Sequence, residues 1–392
     1  MGRKQKGYAP LLRMGGWLLT CCLTLELVNL STPYLADGLS VLTMVSASMQ
    51  DPAASVSYLQ ETAKQLSEEP ASSEPATESD NTSETEEAAE SKPAEEESES
   101  KAEEALAPLD DTSALVTVEE PETVPERGEN TGDVDRRVVG GTGSSPFVDL
   151  EYSVVKNLSE LSDGEVAELA QEPLELSFTD TDDPQVLIYH THATESYLSQ
   201  TLDWYDLDYT ARSTDDSKNM VAVGDALTAV LEAGGISVIH DTTQFDNPSY
   251  TEGYDRSRAA VEEYLEQYPS IKVVLDVHRD AIQSDTTITA PVCTIDGQEM
   301  AQLMVVACAD DGDGELPNYK ENFIFGAHLN EQLEQDFPGI TRPMLFCERI
   351  YNQDLSTGSL LVEVGGHGNS LKDAVLAVQK LGYSLLTLLK SS

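Results

Sequence analysis

The strongest constraint on the fold is an alternation of short apolar runs with segments of helical periodicity after residue 184. Runs rich in β-branched residues predict strands, and apolar residues spaced three and four positions apart predict helices. The predicted strands cover 186–192, 236–240, 271–278 and 359–364, and the predicted helices cover 218–233, 254–268, 318–337 and 371–390. This alternation predicts an α/β domain with a mostly parallel central sheet and helices on both faces.

Two local signals refine this prediction. Asp296-Gly297 separates two apolar runs at 287–295 and 299–307, which predicts a β-hairpin in addition to the parallel sheet. The last helix is preceded by Asn369 and Ser370, and either residue suits an N-cap.

The charge of the chain is strongly negative and unevenly distributed. The 71 Asp and Glu residues against 23 Lys and Arg residues give a formal charge of −48, which excludes binding of nucleic acid through a basic surface. Residues 51–137 hold 26 acidic and six basic residues and lack Trp and Phe. Such a composition cannot bury enough apolar surface to fold, so this segment is predicted to be a disordered, extended linker.

The N-terminal residues predict a membrane anchor. Arg3, Lys4, Lys6 and Arg13 precede a mostly apolar stretch at 14–30. Basic residues ahead of a span keep the N-terminus in the cytoplasm, so the rest of the chain is expected outside it. A cleaved signal peptide ending near residues 46–48 is the alternative. The predicted organisation is a basic tail and anchor at 1–50, the linker at 51–137, a lead-in segment at 138–183 and a catalytic domain at 184–392.

Candidate metal ligands cluster at the ends of the predicted strands. His192 ends the first strand and Glu195 follows three residues later, His278 ends the third strand, and Glu363 lies near the end of the fourth. The carboxyl ends of parallel strands line the ligand crevice of open α/β sheets. His, Glu and His form a ligand set that zinc uses when one position stays open for water. A nearby carboxylate that is not a ligand, here Glu363, suits a general base in metal-assisted hydrolysis.

Four segments together resemble the stage II sporulation protein P family. They are PQVLIYHTHATESY, NMVAVGDAL, IKVVLDVHRDA and RIYNQDLSTGSLLVEVGGHGNS. The resemblance implies an amidase-like fold, zinc, N-acetylmuramoyl-L-alanine amidase activity and an associated endopeptidase activity on peptidoglycan. It also implies a single-pass membrane protein with its catalytic domain outside the cytoplasm, acting at the sporulation septum during engulfment with stage II sporulation proteins D and M.

The resemblance also assigns roles to individual residues. His192 and His278 match two metal-binding histidines of the related amidases, Glu363 matches their catalytic glutamate, and Asn369 lies close to their asparagine. The third ligand is expected to be Glu195, which forms the His-x-x-Glu pattern of this family.

Several residues around these positions have open roles. Asp215 is the alternative third ligand. His190 either contacts a ligand residue without binding the metal, or is itself a ligand. Arg212 and Arg279 are scarce cations in an acidic domain, so either residue clamps a carboxylate of the peptide stem or pairs with a neighbouring Asp.

Two other functions are consistent with parts of this pattern. A catalytically silent wall-binding or scaffold protein could keep the same fold, and its zinc content would distinguish it from an enzyme. A two-metal phosphoesterase is a weaker alternative, since the G-D-x-x-x-D and G-N-H-E patterns are absent from the sequence.

Overall fold

The computed structural model of the chain describes residues 115–176 and 182–391, which form two β-sheets and five α-helices. The strands are β1 (Thr131–Arg137), β2 (Phe147–Asp149), β3 (Val154–Leu158), β4 (Val186–Tyr189), β5 (Trp204–Asp206), β6 (Val238–His240), β7 (Val273–Asp280), β8 (Gln283–Ser284), β9 (Thr287–Ile295), β10 (Gln298–Ala301), β11 (Leu303–Ala309), β12 (Met344–Glu348) and β13 (Ser359–Gly366). The helices are α1 (Asp163–Leu169), α2 (Met220–Ala233), α3 (Gly253–Gln267), α4 (Tyr319–Asp336) and α5 (Leu371–Ser391), and a short 3-10 turn covers Gln353–Leu355.

The expected membrane anchor at 14–30 and the expected linker as far as residue 114 lie outside the described residues. Within 115–176 and 182–391, none of the helices is both long enough and apolar enough to span a bilayer.

The central sheet has eight strands in the order β2-β3-β12-β11-β13-β7-β4-β6. Strands β13, β7, β4 and β6 are parallel to one another, and so are β3, β12 and β11, but β11 pairs with β13 in the antiparallel direction. The α/β class with helices on both faces is confirmed. The expectation of a mostly parallel sheet is confirmed in part: five of the seven strand pairings are parallel, but β11–β13 and β2–β3 are antiparallel, so the sheet is mixed.

The reversal at β11 follows from the route of the chain. Two neighbouring parallel strands need a crossover connection, usually a helix, which returns the chain to the end of the sheet where the first strand began. Within the described stretch between β7 and β11, only the strands β8, β9 and β10 intervene, without a helix. Leu303 at the start of β11 therefore pairs with Val364 near the end of β13, and β11 runs in the opposite direction.

Helices cover both faces of the sheet because its inner strands are apolar on both sides. Val186 and Ile188 of β4 pack into the main core with α2, α4 and α5, while Leu187 and Tyr189 pack into a smaller core with α3. These four side chains are at most 3% exposed. Burying an aliphatic side chain of this size contributes roughly 1.5–3 kcal/mol, so a continuous apolar run is stable here only between two helical layers.

The last helix begins where the sequence predicts. The Ser370 hydroxyl accepts a hydrogen bond from the backbone N–H of Asp373, and the Asp373 carboxylate accepts one from the backbone N–H of Ser370. This reciprocal arrangement satisfies two donors at the start of α5. Ser370 is therefore the cap of the two candidates.

The predicted hairpin forms, but the predicted second strand at 299–307 is two strands, β10 and β11, which belong to different sheets. β9 pairs with β10 across Asp296-Gly297, and both turn residues have a positive φ. After Gln302 the chain leaves the second sheet and continues as β11 in the central sheet. Gln302 bridges the two parts, since its side chain accepts from the Val139 N–H and donates to the carbonyl of Thr341.

The second sheet also contains residues 131–137, which were expected to lie in the linker. It has the order β10-β9-β1-β5, with β8 on β9, and its β1 occupies residues 131–137. Val134 packs there against Ile288 and Ala290 of β9. Arg136 reaches the carboxylates of Glu299 and Asp373 at 2.6 and 3.0 Å. These partners lie more than 150 residues downstream, so local composition could not indicate this strand.

Candidate metal centre

Three buried side chains meet at the carboxyl edge of the central sheet. His192 and Glu195 follow β4, and His278 lies in the adjacent strand β7. Nδ1 of His192 is 3.7 Å from Oε1 of Glu195, and Nδ1 of His278 is 3.6 Å from Oε2. Potential ligand atoms of the three residues all lie within 4.8 Å of one another. The fold therefore brings two imidazoles and a carboxylate into one small volume.

The spacing of these donors fits a zinc ion. Tetrahedral ligands at about 2.0–2.1 Å from zinc are about 3.4 Å apart from each other. The separations of 3.6 and 3.7 Å between the carboxylate and the two imidazoles are close to that value. Three protein donors leave a fourth position for water or a substrate oxygen.

A tight turn converts the His-x-x-Glu spacing into a contact. The backbone N–H of Glu195 donates to the carbonyl of His192 at 3.0 Å, which closes the turn. Asp246 holds the turn from outside, because its carboxylate accepts from the backbone N–H and hydroxyl of Thr194 and from Arg212. The residue before Glu195 is thus held by a loop about 50 residues downstream, while the Glu195 carboxylate itself accepts from Arg212 and from the backbone N–H of Arg279.

The electrostatics of the cluster favour a cation. Burial lowers the pKa of His192 to about 3, so this imidazole is neutral and able to ligate. Burial alone would raise the pKa of Glu195, but Arg279 and His278 hold it well below its usual value. Burial alone would lower the pKa of His278, but the carboxylates of Asp276 and Glu195 hold it well above its usual value. A proton thus lies on a buried imidazole between two carboxylates, and a metal ion can replace it.

Glu363 faces the cluster from the other side of β7. It is paired with His278 in the register between β13 and β7. The side chain is half-buried, and its Oε2 is buried without a hydrogen-bond partner among the described residues. Burial, followed by the charge of Asp280, raises the pKa of Glu363 to about 8. A carboxyl group with a raised pKa beside possible metal ligands is suited to move a proton.

Three tyrosines line the cluster, and the sequence analysis missed them. The ring of Tyr250 stacks on His192 with centroids 4.2 Å apart, and Tyr254 meets the same imidazole edge-on at 5.4 Å. Tyr351 stacks in turn on Tyr254 at 5.5 Å. Tyr254 lies in the first turn of α3, whereas Tyr250 lies in the loop three residues before that helix, so no helical spacing indicated that both would reach His192. The contact of Tyr351 depends on a loop almost 100 residues downstream.

Comparison with known proteins identifies the family. The profile of the family described as stage II sporulation protein P (SpoIIP) matches residues 33–382. The chain belongs to the stage II sporulation protein P family. The resemblance inferred from the four sequence segments is therefore confirmed. Stage II sporulation protein P of Bacillus subtilis (strain 168) is 28% identical over 238 residues, which are 56% of this chain and 56% of that protein. This family member thus spans about half of the length of the curated relative that it matches.

Several solved amidase structures show a likeness to this chain. Ami1 of Mycobacterium smegmatis matches with a TM-score of 0.34 and 13% identity, over 54% of this chain and 100% of that structure. AmiC2 of Nostoc punctiforme matches with a TM-score of 0.32 and 14% identity, over 54% of this chain and 99% of that structure. An amidase of Clostridium difficile 630 matches with a TM-score of 0.30 and 12% identity, over 54% and 100% respectively.

In this family member, the two candidates for the third ligand occupy different environments. Glu195 lies in the cluster, whereas Asp215 is exposed and binds Lys218 at 2.7 Å. Hydrogen bonds from Lys218 and Ser217 lower the pKa of Asp215 to about 2. Asp215 is therefore not grouped with the two histidines.

His190 lies behind the cluster rather than in it. Its Nδ1 is 2.8 Å from the carbonyl of Val277, and its Nε2 is 2.9 Å from Nε2 of His240. Burial lowers the pKa of His190 to about 3. The neutral ring links the end of β4 to β7, the strands that carry the cluster residues.

The two arginines have different surroundings. The guanidinium of Arg279 is buried and donates to the carbonyls of Ser196, Asp280 and Ala211. It therefore joins the backbone segments that contain these three residues. Arg212 is 41% exposed at its side chain, pairs with Asp246 at 2.7 Å, and places Cζ 4.7 Å from the Tyr250 ring centroid. The pairing with an Asp is therefore present, and Arg212 also reaches the solvent beside the cluster.

Asn369 is buried in the turn after β13. Its Oδ1 accepts from the Gly366 N–H at 2.8 Å, and its Nδ2 donates to the Pro291 carbonyl at 3.1 Å. These bonds join the end of β13 to the second sheet. Asn369 thus supports the backbone that follows Glu363.

Proposed function

We propose that this chain is a zinc-dependent peptidoglycan hydrolase that acts outside the cytoplasm during sporulation. The proposed bond is the amide between N-acetylmuramic acid and the L-alanine of the peptide stem. Membership of the stage II sporulation protein P family supports the biological context. The observation that carries the proposal is the buried cluster of His192, Glu195 and His278 with Glu363 opposite.

In this proposal His192, Glu195 and His278 hold the zinc ion. When bound, zinc lowers the pKa of a water molecule towards neutrality and polarises a scissile carbonyl. The three residues supply that ion with two neutral donors and one negative charge, provided that His278 gives up its proton. The overall charge of the occupied cluster is then positive, which attracts a nucleophilic oxygen.

Glu363 is the proposed general base. Its position opposite His278 places a carboxylate next to the cluster, yet it is not one of the three grouped residues. Positive charge at the cluster favours the ionised carboxylate and lowers its raised pKa towards neutrality. Glu363 can then take a proton from the attacking water and give it to the leaving amine.

Arg212 and the adjacent tyrosines are the proposed substrate contacts. The half-exposed guanidinium lies beside the cluster and can bind a carboxylate of the peptide stem. The Tyr250 ring stacks on the His192 imidazole and also contacts the Arg212 guanidinium, so it holds both side chains in place. The peptide is thus held on the side of the cluster formed by the start of α3.

Four further parts of the proposal come from the family resemblance. They are an endopeptidase activity, a single membrane anchor, a place at the sporulation septum, and partnership with stage II sporulation proteins D and M. The anchor would leave the catalytic domain on the same side of the membrane as its wall substrate.

The test is digestion of purified peptidoglycan by the zinc-loaded full chain, followed by mass spectrometry of the products. Amidase activity releases peptide stems with a free L-alanine amino group, whereas endopeptidase activity exposes amino groups within the stem or crossbridge. We expect the first product, and we expect Glu363→Gln to release it about 10²–10⁴-fold more slowly. Asp215→Asn, an exposed change outside the cluster, is the matched control. Binding to peptidoglycan without any release would favour the wall-binding scaffold instead.

A further inference from the structure

A chain of buried side chains runs from a loop at the tyrosine side of the site to the cluster residue His278. Nδ2 of Asn352 donates to the Ser257 hydroxyl at 3.1 Å, and the Ser257 and Thr191 hydroxyl oxygens are 2.8 Å apart. Thr191 donates to Asp276 twice, through its hydroxyl at 2.7 Å and its backbone N–H at 2.8 Å. All four residues are at most 6% exposed.

The donors and acceptors in this chain can be ordered in only one direction. A carboxylate only accepts hydrogen bonds, so the single hydroxyl hydrogen of Thr191 points to Asp276. The Thr191 oxygen must then accept the hydroxyl hydrogen of Ser257. Ser257 also lies 3.2 Å from the Tyr254 carbonyl, but turning its hydrogen there would leave two oxygen lone pairs facing each other at 2.8 Å. Ser257 in turn accepts from the amide of Asn352.

The chain ends on one particular nitrogen of His278. Oδ1 of Asp276 lies 2.8 Å from Nε2 of His278, in electrostatic contact although not aligned as a hydrogen bond. The carboxylate favours a hydrogen on this nitrogen. The opposite nitrogen, Nδ1, faces Glu195 at 3.6 Å. A metal ligand needs a free lone pair on the nitrogen that faces the other ligands, which this arrangement provides.

The origin of the chain is a backbone feature near the tyrosines. Tyr351 and Asn352 are consecutive residues with φ values of 44° and 55°, a conformation that side chains other than glycine seldom adopt. This turn presents Tyr351 to the ring of Tyr254 and Asn352 to Ser257. The loop that lines the site and the carboxylate that orients His278 are therefore connected.

We propose that Thr191, Ser257 and Asn352 are positioning residues that set the metal affinity of the cluster through Asp276 and His278. The inference rests on the proposed function only in requiring that the cluster holds a divalent metal. Thr191 is the central member, because it alone bonds to Asp276 with both its backbone and its side chain. Ser257 and Asn352 act through Thr191.

The test measures zinc affinity of the full chain, purified in detergent, by competition with a chromophoric chelator. Loss of a group that contacts a ligand directly raises the zinc dissociation constant about 10–100-fold, and Thr191 acts one bond further away through Asp276, so the rise should be about tenfold. We expect this rise for Thr191→Val, which keeps the shape but removes the hydroxyl, and affinity close to wild type for Thr191→Ser. Thr228→Val is the matched control, since this hydroxyl in α2 has no hydrogen-bond partner among the described residues. The visible spectrum of the cobalt(II)-loaded chain should change in Thr191→Val and not in the control.

The outcomes separate this inference from the proposed function. Equal zinc affinity and equal cobalt spectra in wild type and Thr191→Val would overturn the inference and leave the metal site in place. A wild-type chain that binds neither zinc nor cobalt would overturn both. Should Thr191→Val fail to fold, Ser257→Ala provides the second variant, because alanine is favourable in helix α3 and the change interrupts the same chain. Unchanged zinc affinity in Ser257→Ala would then reject the inference.

Discussion

Replacing Glu363 with glutamine distinguishes a proton-transferring group from a metal ligand. The amide keeps the size and shape of the carboxyl group but cannot take up a proton at neutral pH. Because Glu363 lies outside the group of three proposed ligands, the variant should bind zinc as the wild type does. Its rate of peptidoglycan cleavage should fall about 10²–10⁴-fold, which is the usual contribution of general acid–base catalysis.

The structure also gives the sign of a stability effect for the metal-free chain. Burial, followed by the charge of Asp280, raises the pKa of Glu363 from 4.5 to about 8. An acid with a higher pKa in the folded chain than in the unfolded chain stabilises the fold fully below pH 4.5, and this contribution is lost as the pH rises to about 8. One pKa unit corresponds to about 1.4 kcal/mol, so the loss is about 5 kcal/mol at most. Partial exposure of the side chain reduces it to about 2–4 kcal/mol.

The assay is urea unfolding of the chelator-treated full chain at pH 5 and pH 8. The free energy of unfolding of Glu363→Gln minus that of the wild type should increase by about 2–4 kcal/mol between the two pH values. Taking this difference removes the part of the titration of His192 and His278 that does not depend on the charge of Glu363. Glu232→Gln, at an exposed position in α2, should show no such increase.

Two results would refute this reasoning about Glu363. Parallel pH curves for wild type and Glu363→Gln would mean that the carboxyl group titrates normally in the fold. Loss of bound zinc in the same variant would make Glu363 a ligand, and the assignment of Glu195 as the third ligand would be wrong.

Three further predictions concern the cluster, the core and the substrate contact. His278→Ala should lose bound zinc and activity together, because two remaining donors compete poorly with water; zinc retained at wild-type stoichiometry, measured by atomic emission, would contradict this. Phe323→Ala should lower the free energy of unfolding by about 3–5 kcal/mol, since the ring is fully buried with its centroid 4.4 Å from that of Phe346; a change below about 1 kcal/mol in urea unfolding would count against this packing. Arg212→Ala should raise KM for soluble wall peptides about tenfold, as expected for a lost charge-assisted hydrogen bond, and because Arg212 also lies 3.5 Å from Glu195, bound zinc is measured in the same variant; an unchanged KM would remove Arg212 from the substrate contacts.

The sequence by itself determined the elements that carry the cluster. The apolar runs of β4, β7 and β13 predict strands because both of their faces are buried, and the ends of those strands hold His192, His278 and Glu363. The helices α2 to α5 follow from their apolar periodicity and differ from the predicted bounds by at most two residues. The His-x-x-Glu spacing placed Glu195 beside His192, which the turn in the structure reproduces.

Only the tertiary structure decided how the remaining segments pair. Strand β1 looks like acidic linker because its partners in β9 begin about 150 residues later, and the direction of β11 depends on the route of the chain through the second sheet.

The same reason explains the finer details of the site. Asp246, which holds Thr194 in the turn before Glu195, and Asn352, which begins the hydrogen-bond chain to Asp276, act across about 50 to 160 residues of sequence. Periodicity reports whether a face of one element is buried. It contains no information about which distant backbone or side chain completes the hydrogen bonds there, and those partners determine the geometry of this site.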